Sequence, residues 1–432
     1  MTTCTSKLIK FGEDGLEPMN PSSQCLNTSY LSLGIIGIAE SEIPIDVEKT
    51  MIRFEDHVIV PTFPQGLSPE SYTQYFEEYL SKICMDKLSE TQPLWELHII
   101  KYPTRGAAGT FAFKMHHALG DGFSIMGAIF STFKRVDNPS LPLTFPSTIS
   151  RSKVQRNIFN SGLSFISQCF NTINDIVSNV MHTAWFGDRP SAIRSGAHLV
   201  ECLPVHITRI TFSLDDISQV RKKLGVTVND VIVGIIFHGT HLYTKVMEDQ
   251  TSSKFRKTAL VLLNTRMLNG YQSVDEMLQK NMWGNQFSFI QIPLPSYSDG
   301  QNVDLKEFIL QAKKIIQRNK TSIAVHINGL LLSLMGSLRG SEAVSKYVHS
   351  TLKSSSFVVS NLIGPTEKIA CADHPISNLY FTVTGSPQSL LFLVMSYLGK
   401  LTITISGEKG FIDLPLLVSC MNKAFEKIVK EA

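Results

Sequence analysis

Residues 114 to 126 read Lys-Met-His-His-Ala-Leu-Gly-Asp-Gly-Phe-Ser-Ile-Met, and the fold of this chain turns on them. The preceding segment, Gly109 to Met115, is rich in strand-forming residues, and the following one, Phe123 to Arg135, has helical character. The histidines therefore stand where a strand ends and a helix is about to begin. Neighbouring side chains on an extended backbone point to opposite faces, so only one of His116 and His117 can face a cleft. Gly120 and Gly122 permit a tight turn, and Asp121 can fix that turn by accepting hydrogen bonds or pairing with a cation. An imidazole with a pKa near ~6.5 can take a proton from a bound hydroxyl at neutral pH, which makes general-base chemistry the natural role for one of the pair. His116 is assigned to structure.

Outward from this loop, Ser32 to Ala39 reads as a buried strand, Tyr72 to Leu88 as an amphipathic helix and Leu94 to Lys101 as an alternating strand. Beyond a Pro- and Ser-rich connection from Val136 to about Ser152, strands are expected at 206–213, 257–264, 286–293, 355–361, 379–384, 390–397 and 401–406. Helices are expected at 214–224, 228–243 and 415–430. The mixture is α+β with two strand-rich halves. The boundaries fall at 1–140 for a first domain carrying the histidine loop, 141–200 for a connection, and 201–432 for a second domain.

Two apolar stretches raise the question of a membrane. Thr321 to Leu338 is uncharged for 18 residues, yet contains His326, Asn328 and several hydroxyls that hydrocarbon would leave unpaired, so a buried helix is expected. Between Ile158 and Phe186, Ile166, Phe170, Ile173, Val177, Val180 and Ala184 form one apolar helical face. That face packs on the protein's own core or lies in the plane of a membrane surface, anchored by Trp185 and Phe186.

Composition excludes several classes. The 40 Lys and Arg against 37 Asp and Glu give a formal charge of +3, too little for a field that grips nucleic acid. With 43% hydrophobic and 18% charged residues, the chain is neither disordered nor unusually polar. Its 7 cysteines are scattered, without a C-x-x-C pair, which fits a reducing compartment. The first residues lack the apolar run of a signal peptide, so secretion is not expected and the sequons at Asn27 and Asn319 read as chance. G-x-S-x-G, H-E-x-x-H and G-x-x-x-x-G-K-[ST] are missing, as is a G-x-G-x-x-G after a strand. A metal is not expected, because adjacent strand histidines do not readily share one ion and no partner at zinc spacing is near.

Other segments carry a family likeness: Pro93-Leu94-Trp95-Glu96, His116 to Gly122 (HHALGDG), Asn229-Asp230, Asn264-Thr265-Arg266, Trp283-Gly284-Asn285 and Ser360 to Pro365 (SNLIGP). In this order and spacing, from about Leu16 to the C-terminus, the chain resembles the plant-type wax ester synthase/diacylglycerol acyltransferase family of acyl-CoA-dependent O-acyltransferases. The resemblance implies two domains similar to chloramphenicol acetyltransferase, with mixed sheets flanked by helices and a tunnel between them. Acyl-CoA and a long-chain alcohol or diacylglycerol would enter that tunnel from opposite ends, and no cofactor beyond acyl-CoA as co-substrate is implied. It makes His117 the base and leaves His116, Asp121 and Gly122 to organise the loop. Asn264 or Thr265 is the candidate oxyanion donor, with Asn229 a further substrate contact or a helix cap. A membrane surface is the implied partner, on the cytosolic face of the endoplasmic reticulum or at the plasma membrane.

One stretch departs from that pattern. Relatives have more residues, supplying a helix and a strand, between the first strand and the segment matching Glu55-Asp56-His57-Val58, so the first half is shortened near residue 50. A breached tunnel wall would leave a catalytically impaired, lipid-binding relative. A soluble specialised-metabolism acyltransferase shares H-x-x-x-D, but the D-F-G-W-G of that family is missing here.

Overall fold

The computed structural model describes residues 8–10, 16–18, 21–47, 57–89, 92–145, 187–248, 255–264, 274–280, 282–295, 305–321, 332 and 334–431. A short hairpin pairs β1 (Leu8–Lys10) with β2 (Leu16–Pro18), and a brief helix, α1, follows at Pro21–Gln24.

Two mixed sheets carry the rest. The first has the order β4-β5-β6-β3-β13-β12-β7, from β3 (Gly34–Ser41), β4 (Val58–Ile59), β5 (Trp95–Ile100), β6 (Gly109–His116), β7 (Lys134–Arg135), β12 (Ile369–Cys371) and β13 (His374–Thr384). The second has the order β10-β9-β11-β14-β15-β8, from β8 (Val205–Ser213), β9 (Thr258–Asn264), β10 (Phe287–Pro293), β11 (Phe357–Ile363), β14 (Leu390–Tyr397) and β15 (Lys400–Glu408). All eight residues of β3, GIIGIAES, are buried. This apolar run occupies the middle of its sheet because both its edges are paired, to β6 and to β13.

The period-2 alternation of the first sheet sorts its side chains into two cores. Ile36, Ile38 and Ala112 pack under α2 (Pro69–Met85) against Tyr72, Phe76 and Leu80. Ile35, Ala39 and Phe111 face the second sheet, where they meet Leu260, Val358, Leu391 and Leu393. On the far face of the second sheet, α5 (Val228–Met247), α7 (Leu305–Thr321) and α9 (Leu414–Glu431) close a third apolar layer. Helix starts follow local chemistry: Ser68 caps α2 ahead of Pro69, and Ser213 caps α4 (Leu214–Leu224). Thr227 and Asp230 form a reciprocal capping box on α5.

Several expectations change. The helix after the histidine loop, α3 (Gly122–Ser131), stops before Arg135, because Lys134 and Arg135 pair with Ala370 and Ile369 as β7. Sheet membership does not follow the 1–140, 141–200 and 201–432 segments, since β12 and β13 leave the third segment to join the first sheet. β13 runs antiparallel to the whole of β3, and the chain then returns to the second sheet as β14. Of the stretch 321–338 expected to be buried, Leu334 and Leu338 are exposed. The 158–186 face lies outside the described residues, as do 48–56 in the shortened region. Among the described residues, no helix is long and apolar enough to cross a membrane.

Candidate active site

The same alternation that puts Phe111 between the sheets carries His117 there. Lys114 and His116 share the opposite parity. The His117 amide donates to the Leu33 carbonyl at 2.8 Å, tying the end of β6 to the entrance of β3. His116 is anchored by Leu94, whose carbonyl accepts from its amide at 2.9 Å. Its ring is held at both nitrogens: Nδ1 accepts from the Ala118 amide at 3.1 Å, and Nε2 therefore donates to Ser32 Oγ at 3.0 Å.

His117 lines an apolar cavity of about 340 Å³ between the two sheets. Its walls include Leu33 just before β3 and Ile35 within it, Phe287 and Leu393 from the second sheet, and Phe381 from the crossing strand β13. This is the size and character of a pocket for an apolar ligand with a few converging polar groups. The Phe287 ring meets the imidazole edge-on at 5.7 Å. Burial in these surroundings holds the His117 pKa below the usual imidazole value, against the opposing pull of Asp121, its own backbone and Asn285.

Asp121 and Gly122 also line the cavity. The Asp121 carboxylate caps α3 by accepting from the Ser124 amide at 3.0 Å, and its second oxygen accepts from the Gln286 amide at 2.9 Å. The Asp121 and Ser124 side of the turn is latched to Gly284, whose carbonyl accepts from Asp121 N and Ser124 Oγ. Trp283 Nε1 donates to the Leu119 carbonyl at 2.8 Å. Gly122 allows close approach, because a Cβ there would stand 3.1 Å from Leu362.

The remaining candidates separate. Asn264 is exposed and lines the cavity, whereas Thr265 lies outside the described residues. Asn229 accepts from Asn361 Nδ2 at 3.3 Å, and it is Asn361, with Ser360, that lines the cavity. Asn229 is not the cap of α5, whose capping box is formed by Thr227 with Asp230.

Asn285 was not among the candidates. Its Oδ1 is 2.8 Å from His117 Nδ1, and its Nδ2 donates to the His117 carbonyl at 2.8 Å and to Ser23 Oγ at 2.9 Å. Its place in the Trp283-Gly284-Asn285 segment was the available signal, but 168 residues separate it from His117 and no local pattern joins them.

The loop, the cavity and the two sheets can be set beside known proteins. Residues 66–232 match the model of the wax ester synthase/diacylglycerol acyltransferase catalytic domain, and residues 283–429 match the C-terminal domain of the same family. The chain belongs to this family. Wax ester synthase/diacylglycerol acyltransferase 4 of Arabidopsis thaliana is 27% identical over 395 residues, covering 85% of this chain and 74% of that protein. Number 11 of the same plant is 29% identical over 393 residues, covering 85% and 78%. Among solved structures, the wax ester synthase/diacylglycerol acyltransferase of Marinobacter aquaeolei VT8 aligns with a TM-score of 0.58 at 13% identity, over 95% of this chain and 98% of that one. The trichothecene 15-O-acetyltransferase of Fusarium sporotrichioides aligns at 0.55 and 12% identity, over 99% of both chains. At these identities the structural likeness shows the fold, which is the α+β, chloramphenicol-acetyltransferase-like arrangement expected from the sequence. Within the wax ester synthase/diacylglycerol acyltransferase family, the chain is an acyltransferase.

Proposed function

We propose that the chain transfers a fatty acyl group from acyl-CoA to a long-chain alcohol, forming a wax ester, and to diacylglycerol as a second acceptor, with His117 as general base. The observation that carries this reading is one buried imidazole on the wall of an apolar cavity bounded by both sheets. A histidine kept uncharged by burial is a competent base in such surroundings.

In the proposed reaction His117 accepts the hydroxyl proton as the alcohol oxygen attacks the thioester carbonyl. The tetrahedral species collapses by breaking the carbon–sulfur bond, and the imidazolium returns the proton to the departing thiolate. No covalent acyl-enzyme is required, and the thioester supplies the activation, so acyl-CoA serves as co-substrate without a further cofactor. Asn264, on the same cavity, is our oxyanion donor, since the developing charge needs a hydrogen-bond donor on the far side of the carbonyl.

The apolar lining supports long apolar substrates. Each methylene gains ~0.8 kcal/mol on leaving water, so a chain of roughly 16 carbons gains on the order of 12 kcal/mol in a dry channel. Such molecules reside in membranes, and we assign the reaction to a membrane surface, the cytosolic face of the endoplasmic reticulum.

Purified protein incubated with labelled palmitoyl-CoA and either hexadecanol or dioleoylglycerol tests the assignment. Labelled wax ester or triacylglycerol, lost in His117→Ala, is the expected product. Acyl-CoA binding without ester formation with either acceptor would overturn the enzymatic reading, and ester formation only with hydrophilic alcohols would overturn the substrate class.

A further inference from the structure

We infer that Asn285 is a positioning residue that fixes the tautomer of His117, placing the ring proton on Nδ1 and leaving the lone pair on Nε2. This rests on the reading of His117 as the base and specifies how the base is kept ready.

The inference begins with a group whose hydrogen-bonding sense is unambiguous. The His117 carbonyl oxygen can only accept, and it lies 2.8 Å from one end of the Asn285 amide, so that end is the NH₂ group. The same nitrogen reaches Ser23 Oγ at 2.9 Å, which uses its second hydrogen. The other end of the amide is then the acceptor Oδ1, and it faces His117 Nδ1 at 2.8 Å. Two acceptors do not attract, so Nδ1 must carry the proton.

The surroundings make this bias hard to escape. Ser23 and Asn285 are both buried, so no water competes freely for the amide, and a rotated amide would set oxygen against the His117 carbonyl. With Nδ1 committed, Nε2 is the nitrogen left to take a hydroxyl proton. An imidazole in the opposite tautomer would present N–H to the alcohol and could not act as its base. His116 shows the contrasting arrangement one residue away: the Ala118 amide makes its Nδ1 an acceptor, which puts its proton on Nε2.

Nitrogen-15 imidazole NMR of the full chain at pH 8, with His117→Gln to identify the resonances, reads the tautomer directly. A protonated, pyrrole-type Nδ1 and an unprotonated, pyridine-type Nε2 are expected at His117; the reverse pattern overturns the inference. Kinetics with palmitoyl-CoA and hexadecanol give the second reading. In Asn285→Leu, kcat should fall ~10- to 100-fold with KM within about twofold, part of the ~10² to 10⁴ a general base contributes. In Asn285→Asp, one carboxylate oxygen still accepts from Nδ1, while the other takes the place of the NH₂ group against the His117 carbonyl, so this variant should be less stable than wild type. Its kcat per folded molecule should exceed that of Asn285→Leu, with the acid limb of the kcat profile displaced to higher pH by about one unit. Wild-type kcat in Asn285→Leu, or an undisplaced limb in Asn285→Asp, would sink it. Substantial activity in His117→Gln would instead remove the base itself. An inactive His117→Gln beside unaffected Asn285 variants would remove this inference alone. Should both Asn285 variants fail to fold, the wild-type NMR decides.

Discussion

The carboxylate of Asp121 accepts a hydrogen bond from the backbone amide of Gln286 at 2.9 Å while capping α3 through Ser124. One side chain thereby fastens the turn after His117 to the segment that delivers Asn285. An acid that spends both oxygens on backbone amides acts on the reaction through geometry.

Asp121→Asn is therefore expected to lower stability and activity together. The amide retains one acceptor oxygen, so one of the two amides loses its partner, at a cost of about 1 kcal/mol or more. Thermal unfolding and turnover measured on the same preparation check this. A variant with an unchanged Tm and no activity would contradict the geometric role.

His117→Ala should lower turnover by ~10² to 10⁴. It also leaves Asn285 Oδ1 without the imidazole, so a loss of about 1–3 kcal/mol in stability is expected alongside. Chemical denaturation together with an assay on folded material separates the two effects; equal activity in the variant would eliminate the base.

The pH profile follows from the direction of the His117 shift. Burial holds its folded pKa below the usual ~6.5, so the base stays neutral on acidification past that value and activity declines only at lower pH. The unfolded chain meanwhile binds a proton near pH ~6.5, so this group's contribution to stability declines as pH falls from there toward the folded pKa. His238, lowered to about 4 chiefly by burial, acts in the same sense over the window between ~6.5 and 4. kcat against pH and Tm against pH read the two effects; an activity midpoint at or above pH ~6.5 would contradict the direction.

Away from the site, Gly234→Ala should destabilise the second half without altering the chemistry. A Cβ at Gly234 would clash with Ile309 Cγ1 and stand 3.0 Å from its Cα, where α5 crosses α7. Overpacking of this kind costs about 1–3 kcal/mol. Urea denaturation should show the loss while kcat per folded molecule stays at the wild-type value; undiminished stability would mean the helices separate without penalty.

Much of this was legible in the chain. HHALGDG marked the junction between β6 and α3, and strand parity already implied that the two histidines face opposite ways. The helix expected at 228–243 is the first part of α5, and the apolar run at 32–39, read as a buried strand, is β3. Loop extents were less legible, as the early end of α3 and the exposed Leu334 and Leu338 show: pairing with β12 outweighed helical character in the first case.

Local chemistry settled elements, caps and faces, because those depend on residues within a turn or two of one another. Which strands meet depends on packing across hundreds of positions, and only the assembled protein brought β13 against β3 and closed a cavity between the sheets. The partner of His117 belongs to the same class. Asn285 stands 168 residues away, and its amide acquires meaning only where the two sheets hold it against an imidazole and a backbone carbonyl at once.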